Sequence, residues 1–197
     1  MTLLAVIRHG PTEWNEDARL QGHSDVPLSD AGRLLVTSWR VPSQLVDFEW
    51  LTSPLKRAVE TATLLTHGNV AKDQRLIEMD WAEWEGRRLL DLRAELGMEM
   101  IALEAKGLDF RPPGGESPRD VQQRLQGFLE ERRHSARPTV AVCHKGIIRA
   151  LYALAANWDM TEKPPHKLQT NSVHLLRVTD DGLEIERLNL SLHGDIE

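Results

Sequence analysis

Leu3–Asn15 reads LLAVIRHGPTEWN, and Thr139–Leu151 reads TVAVCHKGIIRAL. The two segments share one grammar: AVIRHG and AVCHKG are apolar runs that stop on a histidine and then reach a glycine. A short run that is apolar on both faces reads as a buried strand of a parallel sheet. Open parallel sheets bind ligands beyond the carboxyl ends of their strands. His9 and His144 are therefore predicted to stand at two such ends. Gly10 and Gly146 are predicted to let the backbone turn close to a ligand.

Outward from these strands, the pattern alternates. SDAGRLLVTSWR predicts a helix capped by Ser29 and ending near Val41, because Pro42 disfavours helical geometry in the residue before it. FEWLTS (Phe48–Ser53) predicts a strand. SPLKRAVETATLLTHG follows, with Ser53 expected as N-cap, Pro54 as the first helical residue and Gly68 as the stop. Residues 70 to about 115 predict a strand or loop and then a helix from about Arg87. RPPGGES (Arg111–Ser117) reads as a loop, and an amphipathic helix is expected from Ser117 or Pro118 to about His134. A helix through GIIRALYALAANW and a terminal hairpin, SVHLLRVT and LEIERLNL turning at Asp181-Gly182, complete the chain. The fold class expected is α/β: three layers, α/β/α, around a mostly parallel sheet with antiparallel strands added by the hairpin.

Composition narrows the function. A chain of 197 residues and 22.3 kDa suits a single domain, 1–197, and buries roughly 70% of its unfolded surface without staples. A helical and loop insertion at about 70–137 is expected to cover the site. Cys143 is the one cysteine, which fits a reducing compartment. Leu3–Ile7 is too short for a membrane helix or a signal peptide's apolar core, and no basic segment precedes it. A soluble cytoplasmic protein is expected. The net charge of −6 argues against nucleic-acid and anionic-membrane partners. An anionic substrate would need the useful cations gathered at one place.

A third strand end supplies them. TSPLKR puts Lys56 and Arg57 in the first turn of a helix, where the helix's own partial positive charge opposes a cation unless an anion joins it. Singly, a strand-end histidine is a polar residue with a partner and Arg57 a solvated side chain. Jointly, two histidines and two arginines, Arg8 and Arg57, make an anion site with a nucleophile available.

With these segments together, the chain resembles the histidine phosphatase superfamily, also called the phosphoglycerate mutase-like family. RHGPTEWN resembles its first motif, TSPLKRAVETA its second, LIEMDWAEWEG its third, PPGGES its substrate-side loop and VCHKGIIRAL its last, in family order from Leu3 to about Leu151. The resemblance implies transfer of a phosphoryl group to His9 and then to water or another acceptor. Imidazole is nucleophilic when neutral, and Arg8 and Arg57 favour that form. A backbone carbonyl is expected to hold its other ring nitrogen.

By resemblance, Arg8, Arg57 and His144 hold phosphate, with Arg57 favoured over Lys56 because guanidinium clamps two oxygens. Thr12, Asn15, Gln21 and Gly22 are expected to bind substrate. Glu78 is the expected general acid; from the residues alone, Glu78, Asp80, Glu83 and Glu85 read equally as an acidic surface loop. The sequence also departs from the family pattern. Pro11 replaces Glu or Gln, Ala82 replaces a common Gly, and Lys145 follows His144 where relatives have a small residue. Lys145 reads either as a further substrate ligand or as a solvent-facing side chain. Trp81 and Trp84 read as a lid or as packed aromatics, Glu116 and Ser117 as substrate contacts or as a turn and helix cap. The other histidines show no metal-ligand spacing, so no metal and no cofactor are expected. The partner is a small phosphorylated metabolite, with a homodimer allowed.

Three readings follow. A phosphomonoesterase with a phosphohistidine intermediate fits the short chain and its WEG version of the third motif. A cofactor-dependent phosphoglycerate mutase would need an extended middle region, and an inert binding protein would not need all five core residues.

Overall fold

A computed structural model describes residues 1–135 and 137–193. In chain order it contains β1 (Thr2–Arg8), α1 (Glu13–Glu16), α2 (Asp30–Ser38), β2 (Glu49–Thr52), α3 (Lys56–Thr66) and β3 (Ala71–Lys72). Then come α4 (Leu89–Leu96), α5 (Met98–Glu104), α6 (Pro118–Ser135), β4 (Thr139–Cys143), α7 (Lys145–Ala155), β5 (Ser172–Val178) and β6 (Leu183–Ser191). The strands form one sheet in the order β3-β2-β4-β1-β5-β6. β3, β2, β4 and β1 run parallel, and the hairpin β5–β6 adds antiparallel strands beside β1. This is the expected α/β/α arrangement. Among the described residues, no helix is long and apolar enough to cross a membrane.

The period-two alternation of strands distributes the core. Leu4 and Val6 of β1 and Ala141 and Cys143 of β4 face α6 and α7, packing on Val121, Leu125, Phe128, Ile147 and Leu151. Ala5, Ile7, Val140 and Val142 face α2 and α3, packing on Val36, Trp39, Ala58 and Ala62. Both faces of β1 and β4 are covered, so both strands read as unbroken apolar runs. A third cluster of Trp84, Leu92 and Met100, with Trp81 and Phe110 against it, lies between β3 and α6 in sequence. Trp81 and Trp84 meet the Phe110 ring at centroid distances of 5.9 and 6.0 Å, so both are packed aromatics.

Several boundaries differ from expectation. The helix capped by Ser29 ends at Ser38, not near Val41, because the Arg40 amide turns away to donate to the Leu192 carbonyl at 2.6 Å. Ser53 is not an N-cap and Pro54 is not helical: α3 begins at Lys56 after Leu55. Asp25 supplies the anion at that end, its carboxylate accepting the Lys56 N–H at 2.7 Å. His67, at φ 54°, ends α3 in the left-handed conformation expected of Gly68. The stretch after β3 forms short 3-10 turns at Gln74–Leu76 and Ala82–Trp84 before α4.

Candidate active site

The parallel register brings three strand ends to one height. Arg8 pairs with Cys143 and Thr52 with Val142. The ladder continues one step further: His9 N–H donates to the Cys143 carbonyl and Ser53 N–H to the Val142 carbonyl, both at 2.9 Å. The His9 and His144 rings consequently lie 5.1 Å apart between centroids, inclined at 55°. Both are buried.

His9 Nδ1 lies 2.7 Å from the Gly10 carbonyl. A carbonyl only accepts, so Nδ1 carries the proton and Nε2 presents its lone pair. The Gly10 amide is itself anchored on Thr61 Oγ1 at 2.9 Å. Burial, then the charges of Arg8 and Arg57, hold the His9 imidazole well below its ordinary pKa, against the opposing Gly10 bond. The ring is neutral near pH 7.

His144 Nε2 lies 2.7 Å from Ser53 Oγ, while its buried Nδ1 has no partner. Burial lowers its pKa well below the ordinary value, with His9, Arg57 and Arg8 adding to the effect. If Ser53 donates to Nε2, Nδ1–H becomes a free donor beside His9. Arg57 is fully buried, and its two terminal nitrogens donate to the carbonyls of Ser24 at 2.9 Å and Gly22 at 2.8 Å. Its Nε has no partner, nor have Arg8 Nε and Gln21 Nε2. Unpartnered buried N–H groups are costly. Arg8 and Arg57, whose charges act on His9, and His144, whose ring lies against it, each keep such a nitrogen free and together make a receptor for an anion.

Glu78 is buried against the first turn of α7. Its carboxylate accepts the backbone N–H of Gly146 at 3.0 Å and of Met79 at 2.8 Å. Burial raises its pKa above the ordinary value, although those two bonds and the charges of Arg57 and Arg8 pull the other way. Asp80 caps the Ala82 amide, and Glu85 accepts the amides of His23 at 2.5 Å and Ser24 at 2.7 Å. Glu78 is thus the carboxylate among these that shares the site with Arg8 and Arg57.

The remaining expected residues take varied places. Thr12 caps α1, and its hydroxyl meets Gln21 Oε1 at 2.9 Å and Asn15 Oδ1 at 3.2 Å. The Asn15 side-chain oxygen also accepts the Thr12 amide at 3.1 Å, so its amide nitrogen is the end left for substrate. Gly22 is required by packing: a methyl there would lie 2.3 Å from Glu85 Oε1 and 2.8 Å from the Met79 carbonyl. Lys145 opens α7 and lines a cavity that also reaches Arg8. Partial burial, then Arg8 and Arg149, hold its ammonium below the usual lysine range.

Packing and capping account for three further features. A methyl on Gly146 would meet Glu78 Oε1 at 2.3 Å, and one on Gly10 would meet Val36 Cγ2 at 2.4 Å. Both glycines therefore make room for neighbouring side chains. PPGGES acts as turn and cap: Ser117 Oγ accepts the Asp120 amide at 3.2 Å, and Glu116 pairs with Arg124 at 2.9 Å.

Sequence reasoning missed Ser53, Thr61 and Arg124. Arg124 donates to the carbonyls of Arg75, Ile77 and Glu78 at 2.5–3.1 Å and so fixes the segment that carries Glu78. Nothing local marks it, since an arginine on an amphipathic helix reads as solvated. Ser53 has the sequence signature of a helix cap, and its role lies instead in its bond to His144.

Known proteins resemble this chain along nearly its whole length. The family model of the histidine phosphatase superfamily (branch 1) matches residues 4–191. Phosphoserine phosphatase 1 of Hydrogenobacter thermophilus is 28% identical over 202 residues, covering 98% of this chain and 94% of the relative. The 2,3-bisphosphoglycerate-dependent phosphoglycerate mutase of Azorhizobium caulinodans is 31% identical over 204 residues, covering 95% and 98%. A mycobacterial glucosyl-3-phosphoglycerate phosphatase complexed with VO3 superposes with a TM-score of 0.79 at 27% identity, covering 97% of this chain and all of that one.

Proposed function

The chain belongs to branch 1 of the histidine phosphatase superfamily, and from that premise we propose that it is a phosphomonoesterase of small phosphorylated metabolites that works through a phosphohistidine at residue 9. The observation that carries this reading is the His9 ring itself. Its Nδ1 is tied to the Gly10 carbonyl, its Nε2 is free, and the side chains of Arg8, Arg57 and His144, each with an unpartnered buried nitrogen, act on it. Similarity to phosphoserine and glucosyl-3-phosphoglycerate phosphatases supports the hydrolytic outcome.

The reaction runs in two displacements. His9 Nε2 donates its lone pair to phosphorus as the P–O ester bond breaks, and Glu78 gives its proton to the departing alkoxide. Arg8, Arg57 and His144 stabilise the charge that spreads over the equatorial oxygens. Water then attacks phosphorus, ionised Glu78 takes its proton, and the P–N bond returns its electron pair to His9. Every proton and charge has a place on this chain's own residues, and we take the reaction to be metal-independent and cytoplasmic.

The test is hydrolysis of p-nitrophenyl phosphate in excess chelator, with an alkaline quench to trap the phosphoenzyme. An alkali-stable, acid-labile phosphoryl group on His9 is expected. Absence of both turnover and label would overturn the reading. The similarity to a mutase keeps a second reading. Conversion of 3-phosphoglycerate primed by 2,3-bisphosphoglycerate, faster than its hydrolysis, would favour that one.

A further inference from the structure

Beside the phosphate site lies a cavity of about 460 Å³, within the range that holds a small organic ligand. Arg8 forms the wall it shares with the site. By alternation along β1, Arg8 falls on the α7 face with Leu4 and Val6, whereas His9 falls on the other. Lys145 and Arg149 come from the first turns of α7, and Lys163 and Lys167 from the loop between α7 and β5. Five cations thus line one cavity, and among the described residues no carboxylate does. Among those residues none of the five is ion-paired, although the chain as a whole carries a net charge of −6.

The arrangement is unfavourable by itself. Lys145 and Arg149 are like charges four residues apart on one helix. Lys145 also stands at the helix N-terminus, where a cation is disfavoured. Yet the cavity is built, not loose. The Arg149 guanidinium stacks on the Trp158 ring, 4.9 Å from its centroid, and the indole N–H donates to the Glu162 carbonyl at 3.0 Å. The loop is tied down where the Tyr152 hydroxyl accepts the His166 amide at 2.9 Å. Ile148, Trp158 and Leu168 give the cavity apolar walls.

We propose that this cavity receives a second anionic group of the substrate, so that the preferred esters carry a carboxylate or a further phosphate beyond the scissile one. The inference deepens the phosphomonoesterase reading and rests on it for the position of the first phosphate. The loop lysines and Arg149 then determine specificity by neutralising the distal charge, while Arg8 spans both groups.

Binding separates the two ideas, because it needs no turnover. Titration calorimetry would compare propylphosphonate with 3-phosphonopropionate and propane-1,3-bisphosphonate. The two probes with a second anionic group distinguish a carboxylate from a phosphate at the distal position. At least one is expected to bind about tenfold tighter than propylphosphonate, the worth of one charge-assisted hydrogen bond. That advantage should disappear in the double variant Lys163→Gln/Lys167→Gln. Equal binding of all three, or an advantage that the double variant keeps, overturns the subsite. Discrimination in binding without hydrolysis of any ester would leave the subsite standing and sink the catalytic reading; hydrolysis without discrimination would do the reverse.

Discussion

The Glu78 carboxylate and the Gly146 amide are joined by a 3.0 Å hydrogen bond, and a methyl on Gly146 would lie 2.3 Å from Glu78 Oε1. The helix that begins just after His144 therefore also holds the proposed acid. One strand–helix junction thus carries His144, which lies against the nucleophile's ring, and anchors the proposed acid.

That junction makes the pH dependence predictable. His9 must be neutral to attack, and its pKa lies well below the ordinary 6.5; Glu78 must be protonated to release the alcohol, and its pKa lies above the ordinary 4.5. Activity is expected to fall on the acid side as His9 gains a proton and on the alkaline side as Glu78 loses one. Glu78→Gln should remove the alkaline limb from kcat and keep the acid one. An alkaline limb unchanged in that variant would exclude Glu78 as the acid.

His9→Ala should lower turnover of p-nitrophenyl phosphate by at least about a thousandfold, the scale expected when the nucleophile is lost. Circular dichroism should be unchanged, because the ring makes one local backbone bond. Residual activity above about a hundredth of wild type, well over that scale, would point to another nucleophile.

Arg57→Lys tests a more specific point. Lysine carries its three donors on one nitrogen and lacks the planar fork that reaches the carbonyls of Gly22 and Ser24 from separate nitrogens while leaving Nε over. A loss of about a hundredfold in kcat/KM is expected, typical of removing one preorganised donor. Near-wild-type kinetics in the Arg57→Lys variant would mean that charge alone suffices.

Ser53→Ala should free the His144 ring to choose its tautomer. Loss of the 2.7 Å bond is expected to cost about 1–3 kcal/mol of stability, as for other buried groups left unpaired. The accompanying fall in kcat should exceed the rise in KM. Steady-state kinetics beside urea denaturation separate the two effects.

His174, buried on β5, has its pKa pushed down to about 4 by burial. A folded pKa below the unfolded one means that acid favours unfolding. Its contribution is complete above the ordinary 6.5 and is lost toward pH 4, at up to about 1.4 kcal/mol per pH unit. Urea midpoints should fall between pH 7 and pH 5, and fall less in His174→Gln. Equal slopes in both proteins would place the acid sensitivity elsewhere; His9 and His144 act with the same sign.

The sheet was legible because its central strands are covered on both faces and so spell unbroken apolar runs. His9, Arg8, Arg57 and His144 were legible as well, since they sit where such runs stop. Glu78 was not legible from its neighbours: four carboxylates in eight residues look alike until burial sets one apart. Ser53, Arg124 and the loop lysines were invisible for a related reason. Their partners lie 46 to 91 residues away or belong to a cavity that exists only in three dimensions. Ala82 falls between these cases. The pattern asked for glycine, and the structure places Ala82 at φ 41°, where a side chain is strained.

The height match among the ends of β1, β2 and β4 reaches beyond chemistry. These are interior strands of the sheet, the part of a fold whose amides exchange with solvent last. His9, Arg8 and His144 thus ride on the slowest-opening core, whereas Glu78 reaches them from the stretch between β3 and α4. Heating should therefore abolish binding of inorganic phosphate only at the temperature where the entire sheet melts.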